Sequence, residues 1–209
     1  MSSPISHSAP ATGDPDARVH VPVLHHVNLK TCRLQEMIDW YGLVVGSRPV
    51  HQFPGGAWLS NDAANHRIAL LSTPSLQDDP DKLKHTGLHH TAFEYASLDQ
   101  LLDTYERLVP LGVLPHACLD HGMTMSFYYV DPDGNSVELQ ADNFGDWSRS
   151  TAFMTDDPAF AENPIGVSVD PARMVAARSE GASSAELHAR AYRGGFEPDG
   201  PLDLRVPLD

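Results

Sequence analysis

Two copies of one short pattern, Leu24-His25-His26-Val27 and Leu88-His89-His90-Thr91, lie 64 residues apart in a chain of 209 residues. An internal repeat restricts the fold more than any single motif, because each copy must be one supersecondary unit. The two copies also share the succession of elements downstream. Val23 to Leu29 alternates as a strand does. Thr31 is placed to cap a helix through Leu34, Met37, Ile38 and Tyr41, ending at Gly42. Three β-like runs come next, 47–53, 57–61 and 66–72. In the second copy a strand over 87–93 leads to Ser97, a helix-capping residue, and a helix through Leu98, Leu101, Leu102, Tyr105 and Leu108. Strands over 113–118, 123–130 and 135–140 complete it, the last two joined by Asp131-Pro132-Asp133-Gly134-Asn135, which is strong turn chemistry. The order β-α-β-β-β is thus written twice. The expected fold class is α+β: two βαβββ modules pairing into a half-barrel around a central metal cleft. The first and last strands of each module lie in the middle of that cleft.

The remaining boundaries come from composition. Segment 1–21 is rich in Ser, Pro, Ala and Asp and is expected to be disordered. Segment 22–74 is the first module, 75–84 a polar linker, and 85–142 the second module. Segment 143–209 breaks the repeat. It carries helix-like stretches at 172–178 and 183–191, and its few apolar residues cannot form their own core. It is expected to form a helical C-terminal extension that packs on the domain or on a neighbouring subunit of a homo-oligomer.

The formal charge of −14, from 28 acids and 14 bases, repels phosphate backbones and anionic lipids, so nucleic acid and membrane are excluded as expected partners. No run of 18 apolar residues offers a transmembrane helix, and the first 20 residues hold no apolar stretch of a secretory signal. Two cysteines, Cys32 and Cys118, exclude a disulfide framework, and a reducing cytoplasm is the expected location. Against 3 lysines stand 12 histidines, the commonest metal ligands.

Side chains alternate faces along a strand, so one histidine of each pair should face the cleft. The repeat aligns His26 with His90 there and turns His25 and His89 away. The closing strands align Asn135-Ser136-Val137-Glu138-Leu139 with His66-Arg67-Ile68-Ala69-Leu70, so Glu138 corresponds to Ala69. Of four inward positions, His26, Ala69, His90 and Glu138, three can bind a metal. Two histidines and one carboxylate with open positions form the ligand set of non-haem Fe(II) oxygenases.

The residues Leu-His-His-Val, Leu-His-His-Thr-Ala-Phe and the closing Tyr128-Tyr129-Val130-Asp131-Pro132-Asp133-Gly134-Asn135-Ser136-Val137-Glu138-Leu139 resemble the vicinal oxygen chelate superfamily. That superfamily spans glyoxalases, bleomycin resistance proteins and dioxygenases. Within it the chain resembles the small one-domain type I extradiol catechol dioxygenases, over roughly 23–140. The Asp-Pro-Asp-Gly-Asn turn is common to the whole superfamily and implies fold. The set His26, His90, Glu138 with alanine in the fourth place is more specific, since glyoxalases use four protein ligands. The resemblance implies an enzyme that inserts both atoms of O2 into a catechol-type aromatic at Fe(II), with Mn(II) as the other candidate ion. It also implies an acid–base histidine and a tyrosine near the substrate. His121-Gly122 and Tyr128, ten residues before Glu138, match that pattern, with His116 competing for the role of His121. The larger relatives carry a further oxygen-contacting histidine on the last strand of the first half. The nearest residue here is His66, offset from that place. Two other functions stay open on the residues: a metal-dependent lyase or isomerase of the glyoxalase type, and a protein that sequesters small molecules.

Overall fold

The computed structural model describes residues 20–207. The expected disordered segment, 1–21, lies outside these residues but for its last two positions. Among the described residues two open sheets form the body. The first holds β1 (Val27–Lys30), β2 (Arg48–Phe53), β3 (Gly56–Ser60) and β4 (Ile68–Leu71), in the order β1-β4-β3-β2. The second holds β5 (His90–Tyr95), β6 (Ala117–Asp120), β7 (Thr124–Val130), β8 (Ser136–Asp142) and β9 (Val167–Ser168), in the order β5-β8-β7-β6-β9. Neither sheet closes into a barrel. In each module the first strand pairs in parallel with the last, β1 with β4 and β5 with β8. A helix crosses between them, α1 (Leu34–Val45) in the first module and α2 (Leu98–Leu108) in the second.

The registers give the quasi-symmetry its residue-level form. Asn28 pairs with Ala69 in the first sheet, and Ala92 pairs with Glu138 in the second. Ala69 therefore occupies the place of Glu138, as the aligned sequences predict. One core runs under both sheets, built from Met37, Tyr41 and Val44 of α1, Leu101 and Leu102 of α2, and the helix-facing sides of the strands.

The turn between β7 and β8 ties the modules together. Asp131 accepts from the backbone N–H groups of Asp133 and Asn135 at 3.0 and 2.8 Å, which closes the turn. It also accepts from the Tyr41 hydroxyl of the other module at 3.2 Å. Asp133 takes Arg33 at 2.7 Å, and its carbonyl takes Lys82 Nζ at 3.0 Å. Gly134, at φ +77°, supplies the left-handed residue that the turn requires.

Several boundaries differ from the sequence reading. Helix α1 runs past Gly42 to Val45, and Gly46 at φ +69° ends it. Tertiary burial of Val44 outweighs the glycine's low helix propensity. Thr31 does not cap α1; its hydroxyl accepts from Arg33 N, two residues on, in a local turn. Strands β1 and β5 begin later than expected, so His25, His26 and His89 precede them. Ser97 caps α2 as expected.

The C-terminal stretch is richer than two helices. It holds α3 (Trp147–Asp156), α4 (Pro158–Glu162), β9, α5 (Pro171–Ser179) and α6 (Ser184–Ala191). Met174, Leu187, Ala191 and Phe196 are buried in the common core. Strand β9 pairs with β6 at Leu119↔Ser168 and Asp120↔Val167, lengthening the second sheet. Two residues are too short a signal to read as a strand.

Candidate metal centre and acid–base site

Four of the five residues singled out from the sequence form one hydrogen-bonded chain. Tyr128 and Glu138 are directly opposed on β7 and β8, hence on one face of the sheet. The Tyr128 hydroxyl lies 3.0 Å from Glu138 Oε1 and 2.9 Å from His121 Nε2. The other carboxylate oxygen, Oε2, lies 3.1 Å from His90 Nε2. His121 sits in the tight turn between β6 and β7, whose backbone closes by His121 N donating to Thr124 O at 2.9 Å.

Burial sets the electrostatics. Glu138 is only 6% exposed, and desolvation pushes its carboxyl up. Hydrogen bonding from His90, Ser126 and Tyr128 more than offsets that, so the carboxyl titrates below its ordinary range. The Tyr128 phenol is pushed far above its ordinary range, first by burial and then by the charge of Glu138. It therefore stays a hydroxyl, with one proton to place between two neighbours. If the neutral His121 ring is protonated on Nδ1, either Nε2 or Glu138 Oε1 lacks a proton facing it.

The paired histidines repeat their side-chain geometry as well as their sequence. His25 Nδ1 lies 3.0 Å from His26 Nδ1, and His89 Nδ1 lies 2.8 Å from His90 Nδ1. This corrects the expectation for His25, which lines the same cleft as His26, whereas His89 lines a separate pocket with Leu83 and Arg205. The pairs sit at or before the strand starts, where pleated alternation does not yet apply. The recurrence of both histidines in both copies was the available signal, since a single ligand needs only one.

Proton placement at the second pair bears on metal binding. His89 Nε2 lies 2.9 Å from the Leu204 carbonyl, which can only accept. A neutral His89 then presents a bare Nδ1 to which His90 donates Nδ1–H; a neutral His90 so arranged has a bare Nε2, and only with that nitrogen protonated as well does it give Glu138 the hydrogen bond described above. That nitrogen faces a carboxylate oxygen at 3.1 Å. Two lone pairs so close need a cation or a proton between them. Ligands at right angles about 2.1 Å from one ion lie about 3 Å apart, so the spacing suits a shared metal. As a pair His90 and Glu138 fit the implied ion, but His26 does not meet them: among the described residues the three candidate ligands within 4.8 Å of one another are His25, His26 and His66.

His26 lies elsewhere along the cleft. Its ring stands 4.3 Å from that of His66, and one ligand nitrogen from each of His25, His26 and His66 lies within 4.8 Å of the others. His26 and His90 nevertheless line the same cleft, about 610 Å³, together with Arg67, Thr91 and Ala92. His66, undecided from sequence, stands beside His26 but is not part of that lining. His116, the competitor of His121, is engaged at both nitrogens, by Asp203 O at 2.8 Å and Ser136 Oγ at 3.0 Å.

Among the described residues no helix is long and apolar enough to cross a membrane. The family model described as Glyoxalase/Bleomycin resistance protein/Dioxygenase superfamily matches residues 23–139. Biphenyl-2,3-diol 1,2-dioxygenase 2 of Rhodococcus globerulus is 39% identical over 180 residues, covering 86% of this chain and 94% of the relative. Biphenyl-2,3-diol 1,2-dioxygenase 3 of the same organism is 38% identical over 172 residues, covering 82% and 90%. Catechol-2,3-dioxygenase of Bacillus subtilis is 29% identical over 110 residues, covering 52% and 38%. With two βαβββ modules, the shared turn and a match over more than half its length, the chain belongs to the glyoxalase/bleomycin resistance protein/dioxygenase superfamily.

Proposed function

We propose that this protein is an extradiol dioxygenase that cleaves a catechol-type aromatic with O2, at an Fe(II) ion held by His26, His90 and Glu138. The observation that carries the reading is the unbroken chain His121–Tyr128–Glu138–His90, which links an acid–base group to two metal ligands through one phenol. Similarity to two biphenyl-2,3-diol dioxygenases over most of both chains supports it. Ala69, in register where Glu138 stands in the other module, argues for three protein ligands, against the four of a glyoxalase-type centre. It leaves positions open for substrate.

The ion supplies a place where diol and dioxygen meet and lowers the pKa of the diol hydroxyls. The protein does the rest. His121 Nε2 takes the proton released as the diol binds, holds it, and returns it as the ring opens. Tyr128, hydrogen-bonded to both His121 and Glu138, holds the Nε2 side of the His121 ring and offers a donor to a developing oxyanion. His66, whose ring stands 4.3 Å from that of His26, would offer a second polar contact to the reactants. His116 and His121 are both engaged at both nitrogens, but only His121 contacts the Tyr128 hydroxyl that also meets Glu138, which favours it as the acid–base group.

Anaerobic Fe(II) loading followed by oxygen-electrode assays with biphenyl-2,3-diol and catechol tests this. Oxygen uptake with a yellow ring-cleaved product is expected. A loaded protein that consumes no oxygen with any aromatic diol contradicts it.

A further inference from the structure

His121 is held from behind by the C-terminal extension. Its Nδ1 lies 2.6 Å from the backbone carbonyl of Ile165. A carbonyl only accepts, so that contact requires the proton on Nδ1 and leaves Nε2 toward Tyr128. The carbonyl is delivered by a dedicated turn, Asn163-Pro164-Ile165-Gly166. Gly166 N donates to Asn163 O at 3.2 Å and to Asn163 Oδ1 at 3.1 Å, while Asn163 Nδ2 donates to Gly166 O at 2.7 Å. The Ile165 side chain points to solvent, 52% exposed, so only its carbonyl is used.

Strand β9 brings this turn in. Val167 pairs with Asp120, so the next step of the register sets Gly166 across from His121. The approach needs glycine. A Cβ there would lie 2.1 Å from Asp120 O and 2.7 Å from His121 Cα, and Gly166 sits at φ +89°. Asp120, fully buried, anchors the same corner by accepting from Gly122 N at 2.9 Å and Asn143 Nδ2 at 3.0 Å, with His188 Nδ1 of α6 at 2.7 Å.

We propose that the turn Asn163–Gly166 is a positioning element for the reaction: through the Ile165 carbonyl it fixes the tautomer and aim of His121. The inference rests on His121 being the acid–base group, and its primary readout does not depend on that role. A wrong tautomer presents N–H where a bare nitrogen must accept, so the ring can be in place and still be unable to take a proton.

The test uses full-length, histidine-15N-labelled protein loaded with diamagnetic Zn(II), with the His121 signals identified by their loss in His121→Gln. Long-range 1H–15N spectra should show His121 protonated on Nδ1 in the parent and in Ile165→Ala, which keeps the carbonyl. Asn163→Ala should move the population toward Nε2–H, and Gly166→Ala should do so more strongly. If Gly166→Ala fails to fold, Asn163→Ala still decides. The Fe(II)-loaded Asn163→Ala enzyme should lose about 10–100-fold in kcat, within the range of general acid–base contributions, with KM and iron content held. A shifted tautomer with unchanged kcat would uphold the positioning and overturn the role of His121. An unchanged Nδ1–H population in Asn163→Ala, and in Gly166→Ala where it folds, overturns the inference.

Discussion

Replacing Tyr128 by phenylalanine removes one oxygen from the centre of the network and leaves the ring packing intact. Tyr128 is 7% exposed, and its hydroxyl contacts His121 Nε2 at 2.9 Å and Glu138 Oε1 at 3.0 Å. Burial and the neighbouring carboxylate keep the phenol protonated at any working pH, so the donor is always present in the parent. A hydrogen bond to a charged acceptor contributes about 1.5–3 kcal/mol, and water cannot readily replace it at a buried carboxylate. At about 1.4 kcal/mol per tenfold, this translates into a loss of roughly 10–150-fold in kcat/KM. The variant should keep its iron, because Glu138 and His90 retain their positions on β8 and β5. Initial rates with biphenyl-2,3-diol, iron analysis and a thermal melt on one preparation would separate these effects. A Tyr128→Phe enzyme within twofold of the parent would refute the reasoning, and the network would be a packing feature only.

Other substitutions probe neighbouring parts of the molecule. His121→Phe should lose about 10²–10⁴-fold in turnover with iron retained, and His116→Phe much less; reversed results in steady-state assays would give the role to His116. Leu187, fully buried in the common core, should cost about 2–5 kcal/mol as Leu187→Ala. Calorimetry should then show Tm roughly 4–20 °C lower, whereas an unshifted Tm would detach the C-terminal helices from the core. Ala69→Glu places a second carboxylate, a fourth candidate ligand, at the position related to Glu138; iron should still bind while oxygen uptake falls, and full activity would contradict the quasi-symmetric placement. Burial depresses the His116 pKa, so the unfolded chain binds the extra proton first on acidification. Stability should therefore fall as pH drops from about 6.5 through the folded-state value, and melts of His116→Gln should show a shallower pH dependence than the parent.

The repeat carried most of what could be read in advance. Periodicity and turn chemistry lie in local sequence, so the two βαβββ units and the cap at Ser97 come from it directly. The equivalence of Ala69 and Glu138 needed only alignment of the copies, and the parallel strand pairs reproduce it. What escaped depends on contacts between distant segments. Nothing local to Ile165 announces that its carbonyl meets His121, 44 residues away. Likewise Leu204 reaches His89 across 115 residues. His25 misled through an assumption of strand geometry at a position that precedes the strand. Gly42 misled because glycine's preference is weak against the burial of a helix face.

The most direct test of the central claim is iron content and oxygen uptake measured on one anaerobically loaded sample of Glu138→Ala beside the parent protein. Near-stoichiometric Fe(II) and diol-dependent oxygen consumption are expected in the parent, with both largely lost in the variant and its secondary structure kept. A Glu138→Ala protein that holds full iron and still consumes oxygen with an aromatic diol would contradict the metal assignment.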